Sequence, residues 1–312
     1  MAELENLNNP WLVAVWPGMG NVALAAGSYL VEQLDAEPVG ELASQEYFEV
    51  EHVDVSEGLA TAGRVPRCLL FVWRDPNQQH DLVIFIGESQ PSTAGHALGR
   101  KLINHALDWG IERCVTFAAM ATQLHPSDEP RVFGAATHQA LLDEIEPHGV
   151  ELLGDGQISG MNGVLLAAAA ERNLPGVCLL GELPYFAVGV PNPRASAAVL
   201  RVFQSLAEIQ LDFSRIDQQA EEMDDRLSNL LERMNERGED EDEESGFSVP
   251  EVSDTGEGEQ ELEAETRQRI EKLFQQAHQD RSQAYELKKE LDRLGVFEQY
   301  EDRFLDLFKK AD

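Results

Sequence analysis

Basic residues are scarce in this sequence. Its 312 residues include 24 lysines and arginines against 57 aspartates and glutamates, which gives a formal net charge of −33. Because a chain with this much negative charge repels polyanions, nucleic acid and anionic membranes are excluded as partners. Lysine is the rarer of the two, and Lys101 is the only lysine before Lys272. A lysine clamp for a nucleotide triphosphate is therefore not expected in the first 271 residues.

Cysteine is also rare, and metal-binding patterns are absent. The three cysteines, Cys68, Cys114 and Cys178, form no CxxC pair, and the eight histidines form no HxH or HExxH pattern. We expect small buried side chains, with neither a disulfide framework nor a bound metal or other cofactor. No apolar run reaches the about 18 residues of a membrane span. The first residues do not resemble a secretion signal either, so we expect a cytoplasmic protein.

The negative charge is unevenly distributed along the chain. Residues 1–235 contain 33 acidic and 13 basic residues, a net charge of −20. Residues 236–265 contain 14 acidic and one basic residue, a net of −13, whereas residues 266–312 have ten of each. Because a dense run of like charges cannot bury itself, we predict a disordered acidic linker over residues 236–260. The linker separates a core domain from a neutral tail.

Short apolar segments alternate with longer segments of helical spacing in the first 211 residues. This alternation is typical of a layered α/β domain, and the continuously apolar strands indicate a sheet covered by helices on both faces. The predicted strands are Trp11–Trp16, Cys68–Trp73, Leu82–Ile86, Cys114–Ala118, Val132–Ala135 and Val177–Leu180. The predicted helices are Asn21–Leu34, Ser92–Trp109, Thr137–Ile145, Gly163–Arg172 and Arg194–Leu211.

Two heptad patterns follow the core. The first, over residues 212–235, predicts a coiled-coil helix with apolar positions Ile216, Ala220, Met223, Leu227, Leu230 and Met234. The second belongs to a helical tail over residues 261–312, which starts its seam at Ile270 and ends with an aromatic stripe near Phe304. Such stripes need burial, either against the preceding helix, the core domain or another chain, and a foreign protein partner is the further alternative. The spacing leaves open whether the two segments pair within one chain or between chains.

The turn after the first predicted strand has the pattern GxGxxA. Gly18 and Gly20 allow backbone amides to approach an anion at a helix start, with Asn21 beside them, as in dinucleotide sites. Glu41 lies at the distance along the chain where a ribose-binding acid is expected. However, Pro17 precedes the first glycine, and the segment near Pro38 is weak as a second strand. The motif alone therefore favours a tight turn over a nucleotide site.

A second motif, Gly87–Pro91, follows a buried strand and almost reproduces a nucleophile elbow. Pro91 occupies the place where the elbow needs a small residue, so a hydrolase built on Ser89 is disfavoured. The acids Asp128 and Asp143 and the base His148 could be sought as its partners, although no spacing selects them. Glu88 itself ends a central strand and is well placed to meet a ligand.

A third glycine cluster, Gly154–Gly163, precedes an alanine-rich helix. Gly160 and Asn162 could present donors to an anion or a carbonyl group, or the glycines could serve close packing alone. Six residues are thus our candidate ligand-binding set: Gly18, Gly20, Asn21, Glu88, Gly160 and Asn162.

The order of these motifs resembles the proteasome assembly chaperone 2 family over about residues 10–211. The residues concerned are Pro17–Asn21, Gly87–Pro91, Arg113–Ala119, Ile158–Gly163, Leu179–Glu182 and Pro191–Ala198. The resemblance implies a three-layer α/β sandwich with a mixed, mostly parallel sheet, similar to nucleoside phosphorylase and hydrolase-like folds. It also implies a homo-oligomer of three or more chains and binding to proteasome subunits, and it implies no catalytic residues.

Two functional hypotheses follow. The first is a non-catalytic, oligomeric assembly factor that binds a protein partner. The second is a small-molecule binding protein or enzyme that takes a nucleoside- or phosphate-like ligand in a cleft at the strand ends. The first is favoured because no catalytic constellation is recognisable and two heptad segments need burial. The second depends on three glycine-rich turns that follow strands.

Overall fold

The computed structural model describes residue 4 and residues 6–49, 53–56, 58–91, 94–244, 270 and 272–274. The chain divides into two compact units, residues 1–246 and 247–312. In the second unit, residue 270 and residues 272–274 are helical. The remainder of the predicted tail and most of its seam lie outside the described residues.

An eight-stranded sheet forms the centre of the first unit. Its strands are β1 (Trp11–Val15), β2 (Glu37–Glu41), β5 (Cys68–Trp73), β6 (Leu82–Gly87), β7 (Arg113–Thr122), β8 (Val132–Ala136), β9 (Val150–Leu152) and β10 (Gly176–Pro184). Their order in the sheet is β2-β5-β6-β1-β7-β10-β8-β9, and the four central strands β6, β1, β7 and β10 are parallel. Strands β5 and β8 each run antiparallel to the central strand beside them. A separate ribbon pairs β3 (Val53–Ser56) with β4 (Leu59–Ala62).

Helices cover both faces of the sheet. They are α1 (Val22–Gln33), α2 (Gly95–Asp108), α3 (Gln139–Ile145), α4 (Gly160–Glu171), α5 (Pro193–Leu206) and α6 (Ser214–Glu244). Alternate residues of β1 enter different cores, because successive strand side chains point to opposite faces. Val13 and Val15 pack in one core with helices α1 and α5, and Leu12 and Ala14 pack in the other with α2 and α4. The predicted three-layer α/β fold with a mixed, mostly parallel sheet is confirmed.

Four strands of the structure were not predicted from the sequence. Strand β2 contains Pro38 and ends in glutamates, and β9 has only three residues. Both lie at edges of the sheet, where one-sided pairing and charged residues suffice and the apolar signal is weak. The ribbon strands β3 and β4 are short and mostly exposed, so burial leaves no pattern in them. Helix α5 also ends earlier than predicted, at Leu206, and Glu208 then adopts a positive φ of 54°.

Helix α6 differs from the sequence-based prediction at its carboxyl end. It continues to Glu244, so residues 236–244 of the predicted linker are helical, and the rest of the linker lies outside the described residues. Glutamate has a good intrinsic helix propensity, which lets an established helix extend through an acidic run. From the predicted seam, Ile216, Ala220 and Leu227 are buried, whereas Leu230 is 41% exposed. The seam as far as Leu227 therefore packs within the chain.

The three cysteines are free and buried. Burial raises the pKa of Cys114 and of Cys178 to about 12, so both thiols stay protonated at neutral pH. In the part of the chain that the structure describes, no helix has the length and apolarity needed to cross a membrane.

Candidate functional site

A cleft of about 390 Å³ opens at the carboxyl edge of the sheet. Open α/β sheets bind ligands at this edge, where the chain leaves neighbouring strands toward opposite faces. Here β1 is followed by α1 on one face, and its neighbour β6 is followed by α2 on the other. We call it the strand-end cleft. Its lining residues, none with an acidic or basic side chain, are Gly18, Met19, Ala23, Gln90, Ala118, Ala119, Met120, Gln157, Ile158, Ser159, Gly160, Asn162 and Leu180.

Gln90 joins two walls of the strand-end cleft. Its Nε2 donates to the Pro17 carbonyl oxygen at 2.5 Å, and its Oε1 accepts from the Met161 N–H at 3.0 Å. Pro17 follows β1 and Met161 lies in the first turn of α4, so one amide side chain links loop and helix. Gly160 has a φ of +74°, and a Cβ there would lie 2.9 Å from Gln90 Oε1. Glycine at this position thus leaves the space that Gln90 occupies.

Asn162 places an amide donor in the cleft. The residue is only 5% exposed, and its Oδ1 accepts from the Trp16 N–H at 3.3 Å. Its Nδ2 has no hydrogen-bond partner among the residues the structure describes. This nitrogen lies 3.9 Å from the place that a Cβ on Gly18 would take, and both residues line the cleft. The bond to Trp16 fixes the orientation of the amide, so the NH₂ group faces the open space.

The other half of the GxGxxA motif forms the turn rather than the lining. Gly20 has a φ of +58°, donates its N–H to the Val188 carbonyl oxygen and accepts from the Asn192 N–H, both at 2.8 Å. A Cβ on Gly20 would lie 2.7 Å from a methyl group of Leu183. Asn21 also has a positive φ, is exposed and precedes the first residue of α1. Gly20 therefore holds the turn against the loop after β10.

Glu88 is engaged outside the lining of the cleft. Its carboxylate accepts from Arg67 Nε at 3.0 Å, from Arg67 Nη2 and the Arg67 N–H at 2.8 Å, and it pairs with Arg64 at 2.8 Å. Burial raises the pKa of Glu88, but the hydrogen bonds from Arg67 and Arg64 outweigh it and hold that pKa at about 2. Glu88 is therefore ionised, and it fastens the end of β6 to the segment before β5.

A second cavity, of about 550 Å³, lies between helices α5 and α6 and the segments around β8 and β9. We call it the arginine groove, after Arg131, Arg194 and Arg201 in its lining. Arg194 pairs with Asp224 of α6, and Arg201 donates to Asp217 of α6 at 2.7 Å. The three guanidinium groups thus face carboxylates of the same chain.

Glu182, at the carboxyl end of β10, is the buried acid of this network. It is 2% exposed and accepts from Arg131 three times, from the N–H at 3.0 Å, from Nε at 3.0 Å and from Nη2 at 2.6 Å. Thr122 Oγ1 donates a fourth bond at 2.7 Å. The bonds from Arg131 chiefly, with that from Thr122, hold the pKa of Glu182 at about 2.

The chemistry of a dinucleotide site is not assembled around the GxGxxA turn. Glu41 lies on the edge strand β2, with β5 and β6 between it and β1, and it faces Arg67 at 3.6 Å. A ribose-binding acid belongs on the strand next to the glycine-rich turn.

Nor does the structure connect the residues considered for a hydrolase. Ser89 Oγ donates to the Gln90 carbonyl oxygen at 3.3 Å, and His148 Nδ1 is bonded to Ser205 Oγ at 2.8 Å. Asp143 accepts from Gln139 at 2.9 Å. In the described part of the chain, no three His, Cys, Asp or Glu residues form a group that could hold a metal ion.

Of the six predicted residues, the structure gathers Gly18, Gly160 and Asn162 at the strand-end cleft and leaves Gly20, Asn21 and Glu88 outside its lining. Sequence reasoning missed Gln90, Met120 and Ile158 as lining residues. Gln90 and Met120 follow or end strands of the parallel set, so the strand-end rule applied to Glu88 could have found them. Ile158 lies within the glycine cluster Gly154–Gly163, but the glycines and Asn162 drew the attention there.

Comparison with known proteins agrees with this architecture. The model of the PAC2 family matches residues 12–231. An uncharacterised protein of Methanocaldococcus jannaschii, MJ1210, is 25% identical over 232 residues, which cover 73% of this chain and 85% of that one.

Two solved structures from Pyrococcus furiosus are similar. PbaB, described as an archaeal proteasome activator, has a TM-score of 0.62 at 23% identity. The match covers 72% of this chain and 94% of the PbaB chain. PbaA, described as an archaeal homolog of proteasome-assembly chaperone, has a TM-score of 0.56 at 25% identity, with coverages of 74% and 96%. Since the family model covers more than half of the sequence, the chain belongs to the PAC2 family.

Proposed function

We propose that this protein is a non-catalytic assembly factor of the cytoplasm that forms a homo-oligomer of three or more chains and binds proteasome-related protein subunits. The partner class is suggested by the descriptions of PbaA and PbaB. The proposal needs a surface suited to protein contact, and it needs strand ends that lack catalytic machinery.

The observation on which the proposal depends is the apolar ribbon β3–β4. Val53 is 60% exposed and Val55 67%, and both lie on one face of the ribbon because they are two residues apart. Ala60 is opposite Val55, and Leu59, on the other face, is 73% exposed. An isolated two-stranded ribbon is only marginally stable in water, so burial of this face against another protein surface would stabilise it.

The strand ends support a non-catalytic role. A general acid or base needs a pKa near the working pH. Glu88 and Glu182 instead have pKa values of about 2 and are fully engaged by arginines. The strand-end cleft itself is lined without acid or base.

The test is a co-elution experiment with purified full-length chain and the purified proteasome subunits of the same organism. Light scattering after size exclusion should give a mass of at least three chains for the protein alone and a larger complex in the mixture. Val55→Asp should reduce both masses, because a charge in the ribbon face cannot be buried without a partner.

Leu107→Asp is the matched control. Leu107 is a similarly sized apolar residue, 40% exposed, on α2 rather than on the ribbon. It should leave both masses unchanged. A wild-type chain that elutes as a monomer with the subunits separate contradicts the proposal, as does an equal effect of the two variants.

A further inference from the structure

The strand-end cleft contains an amide donor that makes no bond within the described residues, on a side chain that is otherwise buried. Asn162 is 5% exposed, its Oδ1 is bonded to the Trp16 N–H, and its Nδ2 has no partner among the described residues. The nitrogen itself is open to the cleft, since the buried side-chain atoms without a partner in the described residues are Trp16 Nε1 and Thr116 Oγ1. Because the bond to Trp16 fixes the amide, its NH₂ group is an oriented donor available to an acceptor atom of a ligand.

Two helices begin at the same cleft. The first turn of α1 contributes Ala23 and that of α4 contributes Gly160 and Asn162, and each helix has 12 residues. Neither N-cap residue, Asn21 or Ser159, makes a side-chain capping bond. The helix dipoles place partial positive charge at both starts, so an anionic acceptor fits the donors of the cleft better than a neutral one.

The rest of the lining selects the kind of anion. No lysine or arginine lines the cleft, and Met19, Met120, Ile158 and Leu180 supply apolar surface. A dianion such as phosphate loses more solvation than a monoanion, and the net charge of −33 repels it more strongly. A monoanion with an apolar substituent fits both parts of the lining: the donors would bind the anion, and the apolar side chains would contact the substituent.

We infer that the strand-end cleft binds a carboxylate that is attached to an apolar group. Asn162 Nδ2 and the first turns of α1 and α4 would receive the carboxylate, and the methionines and Ile158 would contact the substituent. Polypeptides present this chemistry at a C-terminal apolar residue. That the carboxylate belongs to a polypeptide rests on the proposed function. A free carboxylic acid offers the same chemistry and does not depend on that function.

The test is calorimetric titration of the full-length chain with four probes. These are an N-acetylated tripeptide ending in leucine, the same peptide with an amidated C-terminus, N-acetyl-leucine and inorganic phosphate. We expect the free-acid peptide to bind and amidation to weaken it by about tenfold or more, since the amide removes the charge that the donors select. Weaker binding of N-acetyl-leucine than of the peptide assigns a polypeptide source, and equal binding assigns a free acid.

Asn162→Asp isolates the donor. The variant keeps an oxygen for the Trp16 N–H and replaces the NH₂ group by a negative oxygen, so the affinity for the free-acid peptide should fall by about tenfold or more. Asn104→Asp, an exposed Asn→Asp exchange on α2, is the matched control and should leave the affinity unchanged.

A second pair of variants covers the case in which Asn162→Asp fails to fold. Met19 is 44% exposed at the rim of the cleft, so it tolerates a charge. Met19→Lys should raise the affinity for the free-acid peptide by about twofold to threefold, and Met19→Glu should lower it by a similar factor.

Three results would overturn the inference: equal binding of the acid and amide peptides, tighter binding of phosphate, or no response to either charge at Met19. Co-elution with proteasome subunits is measured separately. Loss of peptide binding with intact co-elution refutes the carboxylate site alone, whereas peptide binding without co-elution refutes the assembly role and leaves the site.

Discussion

The strand-end cleft and the arginine groove lie beside the same sheet, yet they treat polar groups in opposite ways. In the groove, Arg131, Arg194 and Arg201 each pair with carboxylates of the chain. No acidic or basic side chain lines the cleft, and the amide nitrogen of Asn162, which is open to it, has no partner among the described residues. In so acidic a chain, the arginines neutralise internal carboxylates and join elements. The region with unused donors is therefore the better candidate for recognition.

The largest effect that would test this contrast is expected from Glu182→Gln. Glu182 accepts four hydrogen bonds while buried, and bonds to charged groups are the strong class. We expect urea unfolding at pH 7 to show a loss of about 3 kcal/mol. The control Glu151→Gln removes an exposed partner of Arg131, 53% exposed, and should cost less than about 0.5 kcal/mol. Equal losses would show that the network is a surface feature.

The difference in unfolding free energy between wild type and Glu182→Gln should depend on pH with a definite sign. The folded pKa of Glu182, about 2, lies below the ordinary value of 4.5, so its ionised form stabilises the fold above pH 4.5. That contribution is lost as the pH falls from 4.5 toward 2. The stability difference between wild type and Glu182→Gln should shrink over this range. A difference that stays constant down to pH 2 would contradict the assignment.

An intermediate effect is expected on the cleft side from Gly163→Ala. A Cβ at Gly163 would overlap the backbone carbonyl oxygen of Ile158, so the loop that lines the cleft would have to shift. We expect a loss of about 2 kcal/mol in urea unfolding. Gly154→Ala is the control, because nothing lies within 4 Å of its added Cβ. If both substitutions are neutral, the loop does not pack as described.

The smallest effect is expected from Asp224→Asn, which tests the link between α5 and α6. Burial raises the pKa of Asp224 and the bond from Arg194 lowers it less, so the ionised form is not favoured by the fold. At pH 7 the substitution should change the unfolding free energy by less than about 1 kcal/mol. Above its raised pKa the charge costs stability, and this cost disappears on acidification, the opposite sign to Glu182. A loss as large as that of Glu182→Gln would refute this contrast.

Much of the fold was predictable because buried parallel strands are continuously apolar. The predicted segment Trp11–Trp16 corresponds to β1, and Leu82–Ile86 corresponds to β6. Edge strand β2 was not predicted, since an exposed edge needs no apolar run. The glycine-rich turns led to Gly18 and Asn162. The strand-end rule led to Glu88, which lies outside the cleft lining and is bonded to Arg64 and Arg67.

The sequence by itself determined the layered α/β class, the acidic surface and the scarcity of cations, because these depend on composition and on local apolar runs. Only the tertiary structure decided which polar groups are satisfied. Arg131 reaches Glu182 across 51 residues, and Trp16 reaches Asn162 across 146. Hydrogen bonds over such distances along the chain follow from the packing of the sheet and helices, and no local pattern encodes the amide nitrogen that this packing leaves free.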